Sequence, residues 1–152
     1  MAVREVAYGD IKSLVGQSLG TSEWHDVTQP NIHTFAEVTG DHQWIHLDVE
    51  RAKAESPYGT TIAHGYFTLS NIPMMMAEIW RTTGVKMGVN YGLNKVRFPS
   101  PVPVGKRIRA HASLESAKDV EGGMEMVAVV TIEVEGSEKP ACVAQTVFRL
   151  YP

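Results

Sequence analysis

The chain has 152 residues, with 14 Lys and Arg against 17 Asp and Glu for a formal charge of −3. That length is enough to bury a core as one domain spanning residues 1–152. The slight acidity gives no electrostatic reason to expect nucleic acid or an anionic membrane as a partner. The single cysteine, Cys142, excludes an internal disulfide and fits a reducing compartment; it lies in an apolar-alternating segment and reads as a buried, inert thiol.

The opening Met1-Ala2-Val3-Arg4-Glu5-Val6 has no long apolar run and carries an early acid, so no signal peptide is visible. Asp10 is placed to cap a short helical turn through Leu14, after which Gly16 and Gly20 break the pattern. Trp24 to Val27 reads as a short strand. Thr28 is the N-cap of a helix with Pro30 just inside its start, and Ile32, Phe35, Ala36 and Val38 recur at helical spacing until Gly40 stops it. Asp48 caps a second short helix, Val49 to Glu55, which Ser56-Pro57-Tyr58-Gly59 ends as a turn.

Residues 63–80 form the longest helix expectation, apolar on nearly every side and therefore buried all round, with Pro73 inside it predicting a kink near Leu69. The segment also holds His64, Ser70, Asn71 and Glu78, which makes it too polar for a membrane span. A soluble, cytoplasmic protein is the expectation.

Beyond this point the period changes from helical to alternating. Val85 to Phe98 predicts a strand with a break near Gly92. Arg107 to Glu115, residues 125–134 and Ala141 to Leu150 predict three more, with Gly122-Gly123 and Gly136-Ser137 supplying the turns. A long apolar helix needs cover, and a curved antiparallel sheet with one apolar face supplies it. The expected class is α+β, a sheet wrapped around a long central helix, with an open edge strand through which two copies pair.

Chemistry concentrates in Thr39-Gly40-Asp41-His42-Gln43-Trp44-Ile45-His46 and in Ala63-His64-Gly65-Tyr66. In a helix Asp41 and His46 would point about 140° apart, and in a strand to opposite faces, so only a loop released by Gly40 lets them share a small ligand. A carboxylate and an imidazole together bracket a water and move its protons, which is general acid–base chemistry. The spacing alone equally fits Asp41 capping the next turn and His46 packing. His42 and His46 have the spacing of a zinc pair on a helix, but Gly40-Asp41 argues against a helix, and no glutamate follows His42. His64-Gly65 opens the apolar helix, where free N–H groups face anions or developing oxyanions. Ordinary packing accounts for both residues as well.

These stretches resemble the hydratase-2 motif of the MaoC-like dehydratases: Phe35 through His46, then Ala52, then Ile62-Ala63-His64-Gly65, with Tyr91 through Val102 and Gly105 similar to the strand and loop that follow the family's central helix. The resemblance implies a hot-dog fold working as a homodimer. It further implies (R)-specific hydration of a trans-2-enoyl thioester, carried by coenzyme A or acyl carrier protein, without metal or redox cofactor. On its terms Asp41 is the base, His46 orients the water, and the Gly65 N–H stabilises the enolate-like oxygen. The usual Asn-Pro is Gln43-Trp44 here, as in the nodulation-factor N-like branch, which places a bulky ring near the site and makes these two residues the expected source of substrate selectivity. His64 becomes a neighbour of the oxyanion site. Leu69, Pro73 and Met76, on one helical stripe beside the deformable Met74-Met75-Met76, are expected to line the acyl tunnel, and Asn94, Lys95 and Arg97 to meet the coenzyme A end, with Arg107 and Arg109 weaker candidates for its phosphates. Two competing readings are a hot-dog thioesterase, which activates water at the carbonyl carbon, and a non-catalytic acyl-thioester-binding module, favoured where Trp44 closes the pocket.

Overall fold

The computed structural model describes residues 2–152. Four long strands dominate: β5 (Met87–Arg97), β6 (Arg107–Val120), β7 (Gly123–Val134) and β8 (Cys142–Tyr151). With the short β2 (Ser18–Thr21) and β3 (His25–Asp26) they make an antiparallel sheet in the order β2-β6-β7-β8-β5, β3 pairing with β6 beside β2. Alternation decides the faces. Ile108, Ala110 and Ala112 register with Val134, Ile132 and Val130, and all six are buried on the inner face. On the outer face Arg109 registers with Glu133, to which it is hydrogen bonded, and Arg107 bonds Glu135; both guanidinium groups lie over the Trp24 ring. A register shift between Leu114 and Ser116 changes the phase, so that Ala117 rather than Ser116 packs on the core.

The helices cover the inner face. After a 3₁₀ helix (Tyr8–Leu14) come α1 (Gln29–Thr39), α2 (Trp44–Leu47), α3 (Val49–Glu55), α4 (Gly65–Ser70) and α5 (Ile72–Ile79). Local signals act as the sequence indicates. The Thr28 hydroxyl accepts from the Asn31 N–H, Gly40 ends α1 at φ 81°, and the Asp48 carboxylate accepts from the Arg51 N–H. Asp10, however, lies inside the 3₁₀ helix, whose N-cap is Ala7.

The central helix departs from expectation. It is two helices, interrupted at Asn71, and Pro73 lies in the first turn of α5 rather than in a helix interior. Its missing N–H costs nothing there, so the break precedes the proline instead of being forced by it at Leu69. The Asn71 side chain donates back to the Phe67 carbonyl at 2.7 Å, satisfying an acceptor the interruption frees. Ile72, Met75, Met76 and Ile79 of α5 are buried. The helix stops at Trp80, where β4 (Trp80–Thr83) runs parallel to β1 (Arg4–Ala7), a pairing no local pattern announces. No helix among the described residues is long and apolar enough to cross a membrane.

Candidate active site

Gly40 turns the chain out of α1 in a left-handed conformation, and Asp41 follows at the surface. Its carboxylate accepts the Gln43 N–H at 3.2 Å, and the Gln43 carbonyl accepts the His46 N–H at 3.1 Å. His46 therefore sits on the single turn of α2, not in the loop itself. The loop brings Asp41 back over that turn, which a continuous helix would not do.

His46 is buried and tied down at both ends. Its Nδ1 lies 2.7 Å from the Ile62 carbonyl oxygen. A carbonyl only accepts, so Nδ1 carries the hydrogen and Nε2 of the neutral ring keeps a lone pair. The His46 backbone carbonyl accepts from the Gln29 side-chain amide at 2.7 Å, and the Gln29 amide oxygen accepts from the wholly buried Thr61 hydroxyl at 2.5 Å. Burial, above all, holds the His46 imidazole below its ordinary pKa. The Ile62 bond opposes this, His64 adds to it, and the Asp41 charge opposes it.

His64 precedes α4 and is buried against this assembly. Its ring stacks on His46 with centroids 3.9 Å apart and planes at 24°, and its Nε2 lies 3.1 Å from the Asp41 carbonyl oxygen. One nitrogen of each ring and one Asp41 carboxylate oxygen lie within 4.8 Å of one another. Two nearly parallel rings direct their in-plane lone pairs side by side rather than at a common point, so this arrangement suits a water more than a metal ion.

A pocket of about 230 Å³ opens beside His46, lined also by Tyr58, Gly65, Thr68, Phe98 and Ser100. Gly65 is the first residue of α4, so its N–H has no acceptor within the helix. A Cβ at this position would stand 3.2 Å from the Phe98 ring. A neutral imidazole with a free lone pair and a backbone donor thus line one small cavity, and the Asp41 carboxylate lies within 4.8 Å of the imidazole.

A family model for the MaoC like domain matches residues 10–136. The chain belongs to the MaoC-like family. It is 51% identical over 141 residues to 3-hydroxyacyl-thioester dehydratase Z of Mycobacterium tuberculosis, covering 92% of this chain and 93% of that one. It is 42% identical over 144 residues to Nodulation protein N of Rhizobium meliloti, covering 93% and 89%. Among solved structures, the R-hydratase PhaJ1 from Pseudomonas aeruginosa superposes with a TM-score of 0.73 at 21% identity, over 98% of this chain and 88% of that one. The fold is the hot-dog.

Within this MaoC-like framework several sequence-predicted residues lie elsewhere. Gln43 contributes through its backbone while its side chain is exposed. The Trp44 ring does not face the pocket: the Arg51 guanidinium lies 4.1 Å over it, which places the ring on the α2–α3 surface. His42 is exposed and meets Glu37 at 3.2 Å, so it forms no pair with His46. Leu69 and Pro73 line a groove of about 260 Å³ with Leu93 and Phe148, and Pro73 and Met76 line an adjoining cavity of about 440 Å³. Among the described residues, neither shares a lining residue with the His46 pocket. The methionine cluster is divided, with Met74 exposed, Met75 in the core and Met76 on the larger cavity.

Lys95 and Arg97 register with Gln145 and Val143 on the outer sheet face, and Asn94 sits at the register shift between Leu93 and Lys95. The structure thus sets these three apart from the pocket. Gln29, Thr61, Tyr58, Phe98 and Ser100 are not singled out by the sequence as site residues, because nothing local tells which side chains the fold brings to His46 and its pocket. Burial pushes the Cys142 thiol up to about 11, in keeping with an inert side chain.

Proposed function

We propose that this chain hydrates trans-2-enoyl thioesters to (R)-3-hydroxyacyl thioesters, reversibly, as a 3-hydroxyacyl-thioester dehydratase. The observation that carries this reading is the His46 tautomer beside Asp41: with Nδ1 committed to Ile62, Nε2 and the carboxylate are two acceptors for the two hydrogens of one water. A water held in this way presents a lone pair on its oxygen.

The Asp41 carboxylate takes one water proton as that oxygen bonds to C3 of the enoyl group. The C2–C3 π electrons move towards the thioester carbonyl, whose oxygen gains charge and is stabilised by the Gly65 N–H. The proton then returns from the Asp41–His46 pair to C2. Water is consumed whole and no electrons leave the substrate, so no redox cofactor is required, and the thioester itself supplies the activation a metal would give. The (R) configuration rests on the family resemblance, and the 51% identity to a 3-hydroxyacyl-thioester dehydratase supports the reaction class.

The same proposal takes residues 1–152 as a single domain, a coenzyme A or acyl carrier protein thioester as substrate, the cytoplasm as its location and a homodimer as its working form. The open β5 edge, with Met87, Tyr91 and Leu93 exposed, supports the last of these. Supplying crotonyl-CoA tests the reading. Loss of enoyl absorbance without release of free thiol is expected. Thiol release would establish a thioesterase instead, and tight binding without turnover a binding module.

A further inference from the structure

His64 carries more polar chemistry than its packing requires. It is 3% exposed and occupies the N-cap position of α4, yet its side chain makes no capping bond. The ring is held between His46 and Phe35, the latter at a centroid distance of 4.9 Å. Since the Asp41 carbonyl only accepts, Nε2 of His64 carries the hydrogen between them. Nδ1 is buried without a hydrogen-bond partner among the described residues. An apolar ring would fill this place without burying an unmatched nitrogen, so stability alone does not account for histidine here.

Asp41's other hydrogen bonds are local, to the Thr39 hydroxyl and the Gln43 N–H, two residues away on either side. The His64 bond reaches it from 23 residues along the chain. We propose that His64 is the positioning residue of the site, setting the Asp41 carboxylate against His46 by gripping the Asp41 backbone with one ring edge and stacking on His46 with its face. This rests on the reading of Asp41 and His46 as the water-activating pair. A loop carboxylate has many conformations and a buried imidazole few. The clamp joins them through one rigid ring, so the water sees both acceptors at a fixed separation. The titratable groups beside His46 are Asp41 from the loop after α1 and His64 from the entry to α4, and Tyr58 from the turn after α3 lines the same pocket.

Two variants separate the functions of the ring. His64→Phe keeps a face to stack on His46 and removes the N–H; His64→Gln keeps an N–H donor and removes the stack. In His64→Phe, kcat for crotonyl-CoA hydration falls about a hundred-fold, the size of effect a misplacement near 1 Å produces, while KM changes little. In both variants the acid limb of the kcat/KM profile moves to higher pH, because His64 no longer disfavours a proton on His46. Thermal unfolding and far-ultraviolet circular dichroism monitor the fold, and if His64→Phe does not fold, His64→Leu, which also lacks the N–H, takes its place in the kcat comparison.

Wild-type kcat in His64→Phe overturns the positioning role whatever the acid limb does, as does a loss carried by KM alone. Asp41→Asn serves as the control. If Asp41→Asn abolishes turnover while the His64 variants behave as wild type, only the positioning role fails. If Asp41→Asn itself retains activity, the water-activating pair is wrong.

Discussion

The imidazole N–H of His46 donates from Nδ1 to the carbonyl of Ile62 at 2.7 Å, and this bond decides which nitrogen meets the substrate. The Ile62 N–H in turn donates to the Ile45 carbonyl at 3.1 Å, so residues 45–46 and 61–62 hold each other in place. Two segments remote in sequence thereby become one rigid wall. The ring it carries has a single free lone pair, on Nε2.

Burial gives that ring a pH signature. A His46 held below the ordinary imidazole value of 6.5 stays neutral, and able to accept a proton, at a pH where an exposed histidine is charged. The acid limb of kcat/KM should therefore lie below 6.5. Stability follows the same group. Between the lowered folded value and 6.5 the unfolded chain holds a proton that the folded chain does not, so stability falls as pH falls through this window and levels off below it. Urea unfolding of wild type and His46→Gln across this range measures the difference; the variant should lose that part of the slope. Equal slopes would show that His46 titrates normally.

Replacing Asp41 by Asn removes the charge and keeps the shape. The amide still makes the loop bond to the Gln43 N–H, so the fold should persist, while the proton acceptor is gone. Turnover of crotonyl-CoA should fall by about a hundred- to ten-thousand-fold, the range general-base catalysis spans. Activity near wild type, with an unchanged circular dichroism spectrum, would remove Asp41 from the mechanism.

Gly65→Ala tests the crowding between α4 and the loop after β5. Gly65 has an ordinary negative φ, so alanine meets no backbone strain there. Its new Cβ instead presses on the Phe98 ring from 3.2 Å and requires a shift of a few tenths of an ångström. A displacement of that size at a site of this kind costs on the order of ten-fold in kcat. Adding Phe98→Leu makes room and should recover most of the loss. If the double variant is as slow as the single one, the pressure on Phe98 is not the cause.

The parts of this molecule that were legible in the sequence are those set by neighbours in the chain. Thr28, Gly40 and Asp48 mark helix ends because each bonds or bends within three residues of itself, and the alternation in β6 and β7 reports directly which face is buried. Asp41, His46 and Gly65 are singled out by the same local logic and by a motif, and the structure brings them within one neighbourhood. What escaped is non-local. The β1–β4 pairing joins residues 76 apart, the Thr61–Gln29–His46 chain links a loop to α1 and α2, and at the break the Asn71 side chain returns to Phe67. Leu69 lies on α4 while Pro73 and Met76 lie on α5, and the cavities they border are closed by Asn90 and Phe148 of the sheet, which spacing along one expected helix does not specify.

Trp44 is where that distinction has the sharpest consequence. As a large ring two residues from His46 it reads as a gate on the pocket, yet it lies under Arg51 and is not among the pocket's walls. Its contribution is then to α2–α3 packing, a cation–π contact of about 0.5–1 kcal/mol at an exposed position. Proline suits the first position of a helix, and Gln43 before it already has the extended φ −57°, ψ 138° that a following proline demands. Trp44→Pro should fold, lose about 1 kcal/mol in denaturant unfolding from the missing contact, and keep its relative kcat/KM across a series of enoyl-CoA chain lengths. A shifted chain-length preference would mean that the ring reaches the substrate after all, by leaving Arg51 when the thioester binds.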